Sequence, residues 1–152
     1  MTGKPANIKL SSQRDPAEAL ADAFSKATQR IDAVVYKFSE PKIFDALVAA
    51  ADGDDEVVVR LVVDRKLIDE KRGKLVRQLL NHGGNIKIRK WPGHKMHAKF
   101  VIIDKEHVFA GSYNWTEASR RNTELLLEFT DSESIEHFTG LFDGIWKGAN
   151  KV

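Results

Sequence analysis

Seven residues, Val57-Val-Val-Arg-Leu-Val-Val63, constrain this chain more than any other stretch. All but Arg60 are apolar and most are β-branched, which predicts a strand. A half-exposed strand alternates apolar and polar residues, so a run like this one is covered on both faces. In a chain of 152 residues, 42% apolar and 30% charged, that cover comes from helices packed on a sheet. The spacing supplies them. Asp15-Pro16 predicts an N-cap and first helical residue, with Leu20, Phe24 and Ala27 on one face. Pro41 opens a second helix carrying Ile43, Phe44, Leu47, Val48 and Ala51, which Asp52-Gly53-Asp54 ends. A basic helix is predicted from about Lys66 to Asn81, with a narrow stripe of Ile68, Leu75, Val76, Leu79 and Leu80 before Gly83-Gly84. A last helix runs from Ser132 to Lys147, with Ile135, Phe138, Leu141, Phe142 and Ile145 as its apolar face.

Strands are predicted at Ile31–Phe38, Val57–Val63 and Ile86–Arg89, the last followed by a turn at Trp91-Pro92-Gly93. Three more follow in succession, Met96–Asp104, His107–Ser112 and Thr123–Thr130. Helices between early strands and hairpins later imply an α/β fold, a mixed β-sheet sandwiched between helices. With no linker, repeat or low-complexity stretch, residues 1–152 are expected to form one domain. Absence of cysteine excludes a disulfide, a catalytic thiol and a thiolate zinc site. No apolar run approaches the ~20 residues that cross a bilayer. Met1–Asn7 has no apolar core, so no signal peptide is expected there, and the localisation is left open.

The net charge of +2 is unevenly spread. Between Arg60 and Lys99 lie twelve lysines and arginines against three acids, Asp64, Asp69 and Glu70. Such an asymmetry suggests a polyanionic partner, with a merely solvated basic helix face as the plainer reading. That segment leads into Met96-His-Ala-Lys-Phe-Val-Ile-Ile-Asp104, then Gly111-Ser-Tyr-Asn-Trp-Thr116 and Asn122-Thr-Glu124. Residues two apart on a strand share a face, so His97 and Lys99 project together, as do Ser112 and Asn114. Three adjacent strands then bring an imidazole, an ammonium, a hydroxyl, an amide and the Glu124 carboxylate to one place.

That set suits a phosphodiester. His97 can attack phosphorus, while Lys99, Asn114 and Ser112 bind the non-bridging oxygens. Glu124 is expected to accept from the imidazole and fix its orientation. No carboxylate cluster near the histidine offers a magnesium site, so neither metal nor cofactor is expected. His94 and His97, three apart, make a weak metal pair, and His94 is read as a rim residue. Asp104 lies an odd number of residues from His97 and is read as a structural hydrogen-bond acceptor. Ser112 has a plainer reading as a residue that satisfies backbone groups at a strand end. Trp115 and Trp91 are read as core or interface, or as platforms for a base. Phe138, Phe142 and Trp146 are read as core.

His97-x-Lys99-x4-Asp104 followed by Gly111-Ser112-x-Asn114-x-Thr116 resembles the signature of the phospholipase D superfamily. Tyr36-Lys-Phe-Ser, the run ending at Asp64, and Asn122-x-Glu124 are similar to it as well, so the resemblance spans roughly Ile31 to Phe129. Among its branches the chain is most similar to the short bacterial endonucleases and their mitochondrial-surface relatives, which carry one motif per chain. The resemblance implies a phospholipase D-like fold, a phosphohistidine intermediate, and two H-x-K motifs per active site related by a two-fold axis. This sequence has one, since none of His82, His94, His107 or His137 has lysine two positions later. A homodimer with a shared site is therefore expected. The leading function is a metal-independent nuclease acting on DNA or RNA. A lipid phosphodiesterase is the alternative within the enzymes, set back by the lack of an amphipathic membrane-binding helix, and no stable membrane association is expected. A non-catalytic scaffold of the same fold is the third reading.

Overall fold

In the computed structural model, which describes residues 7–10 and 13–152, the chain opens with β1 (Asn7–Leu10), α1 (Pro16–Ser25), β2 (Arg30–Val35), α2 (Pro41–Asp52) and β3 (Val58–Asp64). It continues through α3 (Lys66–Asp69), α4 (Lys74–His82), β4 (Ile86–Trp91), β5 (Phe100–Ile103) and β6 (His107–Gly111). It closes with α5 (Glu117–Arg120), β7 (Leu125–Phe129), α6 (Ser132–Gly148) and β8 (Asn150–Lys151). The strands form one sheet in the order β1-β7-β6-β5-β2-β3-β4-β8. β2, β3 and β4 are parallel, as helical crossovers require, and every other pairing is antiparallel. The mixed sheet with helices on both faces is as expected.

Side-chain alternation along β3 explains its apolar run. Val59, Leu61 and Val63 face a core shared with Phe24 of α1, Ile43 and Leu47 of α2, and Val76 and Leu79 of α4. Val62 faces the other core, with Val34, Phe100, Ile102, and Ile135 and Phe142 of α6. Arg60 lies on that second face directly beside Asp32, its register partner on β2. Its Nε and Nη2 donate to the two carboxylate oxygens at 2.7 and 2.8 Å. The guanidinium also stacks 4.9 Å from the Phe142 ring and 5.2 Å from Trp146, so one buried ion pair ties α6 to the central strands.

The structure corrects several expected boundaries. The basic helix is two helices, because the chain turns sharply at Gly73. A Cβ there would stand 1.6 Å from the Leu67 carbonyl oxygen, a contact only glycine permits. Leu141, expected on the buried face of α6, is 46% exposed, while Phe142 beside it is buried. The strands are shorter at one end of the sheet. β2 stops at Val35, β5 begins only at Phe100, β6 stops at Gly111 and β7 begins at Leu125. His97, Lys99, Ser112 and Glu124 therefore lie just beyond regular strand rather than on it. The cause is Trp115, whose buried ring packs on Phe24 and Phe38. Its backbone takes over the hydrogen bonding after β2, accepting from Ser39 N and Glu40 N and donating to Lys37 O at 3.2 Å.

Asp104 sits at the opposite end of β5, in a tight turn into β6 where Asp104 and Lys105 have φ of 53° and 55°. Its carboxylate accepts from the backbone N–H of Thr28, Gln29 and Arg30 at 2.9, 2.8 and 2.8 Å. The structural-acceptor reading agrees with this geometry.

Candidate active site

The polar residues gather outside the carboxyl ends of β2, β3 and β6, the usual crevice of an open α/β sheet. Met96 anchors the segment that carries His97. Its side chain is buried and its N–H donates to Asp64 Oδ2 at 2.8 Å. The other Asp64 oxygen accepts from Lys66 N at 3.0 Å, so this 2% exposed carboxylate is consumed in holding the backbone. His97 itself is exposed.

Lys99 folds back onto the histidine. Its Nζ lies 3.2 Å from His97 Nδ1 and donates to the His97 carbonyl oxygen at 2.8 Å. The shared direction of the two side chains holds although neither is on a paired strand. Tyr36, the first residue past β2, packs its ring 4.7 Å from the imidazole. Lys37, Lys95 and Lys99 all lie within 5.2 to 5.7 Å of that ring. The charge of Lys99 holds the His97 imidazolium below its usual pKa, helped by burial and by Lys95 and Lys37. Burial in turn lowers the Lys99 ammonium; Glu124 opposes that shift and Lys37 adds to it. The result is an exposed imidazole, biased toward its neutral form, among three lysines, an arrangement matched to an anion.

Ser112 and Glu124 meet across β6 and β7, with Ser112 Oγ donating to Glu124 Oε2. Asn122 Nδ2 donates to the other carboxylate oxygen at 3.3 Å, and Leu125 N donates to Ser112 Oγ at 2.9 Å. Gly111 permits the approach, since a Cβ there would stand 2.0 Å from Leu125 O. The groups that act on the imidazole within the chain are lysines, whereas Glu124 engages Ser112 and Asn122 and acts on Lys99 through its charge. Asn114 Oδ1 is buried and takes no hydrogen bond among the described residues. Thr116, by contrast, is structural. It caps α5, its Oγ1 accepting from Ser119 N at 3.0 Å.

Lys37 and Lys95 have no strong sequence signal, because isolated lysines look like solvated surface. Tyr36 does have one, as the polar-tipped aromatic that ends a buried strand. Behind the site, the Tyr113 hydroxyl is buried with no hydrogen-bond partner among the described residues, and burial followed by Glu40 and Asp15 pushes its pKa up. Arg120 spans Asp15 and Glu40 beside it. Of the basic segment, Arg60 is spent on Asp32, Arg89 donates to Trp146 O at 2.7 Å, and Lys90 pairs with Asp69. The segment is thus not one continuous cationic face. The two tryptophans resolve differently. Trp115 is 3% exposed and belongs to the core, while Trp91 is only partly covered and lies edge-on to His94. Among the described residues no three acids or histidines come together as metal ligands, and no helix is long and apolar enough to cross a membrane.

The chain resembles known proteins in sequence and in fold. The family profile described as "Cardiolipin synthase, PLD-like domain" matches residues 20–146. A phospholipase D of Rickettsia conorii is 36% identical over 121 residues, 78% of this chain and 58% of that one. The human mitochondrial cardiolipin hydrolase is 31% identical over 132 residues, 86% of this chain and 51% of its own. The chain thus spans a little over half the length of these relatives. Among solved structures, Nuc of Salmonella typhimurium superposes with a TM-score of 0.82 at 22% identity, covering 97% of each chain. NucT of Helicobacter pylori gives 0.84 at 23%, covering 97% of this chain and 100% of the other.

Proposed function

The chain belongs to the phospholipase D superfamily, and from that membership we propose that it hydrolyses the phosphodiester bonds of nucleic acid through a phosphohistidine, in a site shared by two copies. The observation that carries the reading is the isolation of one reactive imidazole. Hydrolysis through a covalent intermediate needs a nucleophile and a proton donor for the leaving oxygen. The chain presents His97 for the first task. Of its four other histidines, His82 pairs with Asp52, His107 pairs with Glu128, His94 rests on Trp91 and His137 lies edge-on to Phe138. Among the described residues none is joined to His97 by a hydrogen bond or a ring contact. His97 of the partner subunit, brought up by a two-fold axis, supplies the second imidazole.

In this mechanism the neutral imidazole attacks phosphorus and forms a P–N bond. The P–O bond to the leaving alcohol breaks, and that oxygen takes the proton of the opposite imidazolium. The imidazole left there then draws a proton from water as its oxygen attacks the phosphohistidine, so the P–N bond breaks and both rings return to their starting states. Lys99 and Asn114 hold the non-bridging oxygens, where negative charge builds up in the transition state. Ser112 braces Glu124. Because the Nδ1 of its own chain's imidazole faces Lys99, the role read for Glu124 is to accept from the imidazole of the partner subunit.

The test is a mixture of wild-type and His97→Ala chains. Heterodimers are expected to be nearly inactive, and heterodimers with half the wild-type rate would overturn the shared site. A lipid phosphodiester is the second reading, favoured by the names of the rickettsial and human relatives. Rates on single- and double-stranded DNA, on RNA and on phospholipid vesicles separate the two.

A further inference from the structure

A cleft of about 230 Å³ opens on the same Tyr36 that packs against His97, and the phosphoryl chemistry makes no use of it. Lys37, Lys66 and Arg72 line it together with Tyr36, Phe38 and Leu67. It therefore combines an apolar wall with three cations. The carboxylate that also borders it, Asp64, is buried and accepts from two backbone N–H groups, and against three cations it leaves the lining net positive. Glu70 lies 3.6 Å from Arg72, an exposed pair of little strength.

Arg72 is not on a freely solvated helix. The corner between α3 and α4 that carries it is fixed at both ends. Gly73 packs its backbone against Leu67, where no side chain fits. Arg77 reaches back from α4 to hold the corner, donating to the carbonyls of Glu70 and Lys71 at 2.5 and 3.1 Å. A continuous basic helix would need none of these contacts. They fix the corner from which Arg72, itself an exposed side chain, borders the cleft together with Lys66.

We propose that this cleft is the subsite for the nucleotide next to the scissile phosphate, with Lys66 and Arg72 receiving that nucleotide's outer phosphate. The inference rests on the nuclease reading above. A phosphodiester on His97 can direct one substituent over Tyr36 into the cleft. Flat apolar walls accept a base and sugar, and two cations beyond them accept an anion. A lipid phosphodiester directs acyl chains outward instead, which need far more apolar surface than Phe38 and Leu67 offer.

The experiment compares wild type, Lys66→Gln, Arg72→Gln and, as a charge-matched control, Lys87→Gln. Lys87 is exposed at the start of β4, the opposite end of the sheet. The substrates are bis(p-nitrophenyl) phosphate, which has no neighbouring phosphate, and dinucleotides with and without an added terminal phosphate at either end. In wild type one terminal phosphate is expected to lower KM. In Lys66→Gln and Arg72→Gln that advantage falls roughly tenfold, the scale of one lost charged hydrogen bond, with kcat little changed. Lys87→Gln is expected to keep it. Equal losses on bis(p-nitrophenyl) phosphate would mean general damage and overturn the subsite, as would a terminal-phosphate advantage that survives both substitutions. Wild type that hydrolyses bis(p-nitrophenyl) phosphate or cardiolipin vesicles but no oligonucleotide would overturn the nuclease reading, and the nucleotide subsite with it. Unfolding temperatures matched to wild type exclude a folding defect.

Discussion

Replacing Asp104 separates a residue that belongs to the family signature from one that belongs to the chemistry. It lies at the far end of β5 from Lys99, and its carboxylate accepts from three consecutive backbone N–H groups and, at 3.3 Å, from the Thr28 hydroxyl. Each charge-assisted bond is worth roughly 1.5–3 kcal/mol when shielded, and nearer 1 kcal/mol at a partly solvated site such as this. Alanine must in addition adopt a φ of 53°, at a cost of about 1 kcal/mol. Asp104→Ala should thus cost about 3–4 kcal/mol. At ~2–4 °C per kcal/mol for a chain of this length, the unfolding midpoint falls by roughly 6–16 °C. Burial by itself would raise the Asp104 pKa, but the N–H groups of Arg30, Thr28 and Gln29 together hold it below the usual value. That contribution is complete above the unfolded-state pKa of ~3.9 and is lost as pH falls through the folded value. The gap between wild type and Asp104→Asn should therefore be wide at neutral pH and close in acid. Circular-dichroism melts across pH, with kcat measured well below both midpoints, read all of this. An Asp104→Ala protein that melts like wild type but has lost its activity would refute the reasoning and move Asp104 into the site.

Lys99→Met removes the main charge that keeps His97 neutral. The His97 pKa should rise, so the acid limb of the pH–rate profile moves to higher pH, while the maximal rate falls by roughly 10²-fold or more; a profile that keeps its acid limb would exclude the pairing. Asp32→Ala strands the Arg60 guanidinium in the α6 interface and should cost about 3–5 kcal/mol in urea unfolding, whereas Asp32→Leu with Arg60→Met recovers most of it. In the proposed mechanism lysines and Asn114 supply the charge stabilisation, so hydrolysis should persist in excess EDTA; abolition by chelator with rescue by a divalent cation would count against the mechanism.

The periodic parts of the fold were legible, and the gathering of the candidate residues more so than their settings. Val57–Val63 implied helices on both faces because burial leaves a mark on every residue of a strand. Asp15 and Pro41 marked helix starts because capping chemistry is local. The split at Gly73 was not legible, since a glycine inside a helical period is common and its reason here is the Leu67 carbonyl, six residues earlier. Strand ends near the site were overextended for a similar cause. Nothing in Met96–Lys99 announces that Trp115 will take the place of its ladder. His97 and Lys99 were found together because a two-residue spacing keeps a common direction in any extended backbone. The engagement of Glu124 with Ser112 depends on the approach of β6 to β7, which only the folded chain sets.

β7 carries Leu-Leu-Leu-Glu-Phe, an apolar run with one charge, and β1 lies outside it in the sheet. Four residues of β1 thus stand between that run and an open hydrogen-bonding edge. An edge so apolar and so short of charge is a template for other chains. Loss of Asn7–Leu10, by proteolysis or truncation, would then show itself less as lowered stability than as a change of solution behaviour, with intact molecules recruiting one another strand to strand. Strand β1 is in this sense a solubility device, and the protein's shelf life in concentrated solution should track the integrity of Asn7–Leu10.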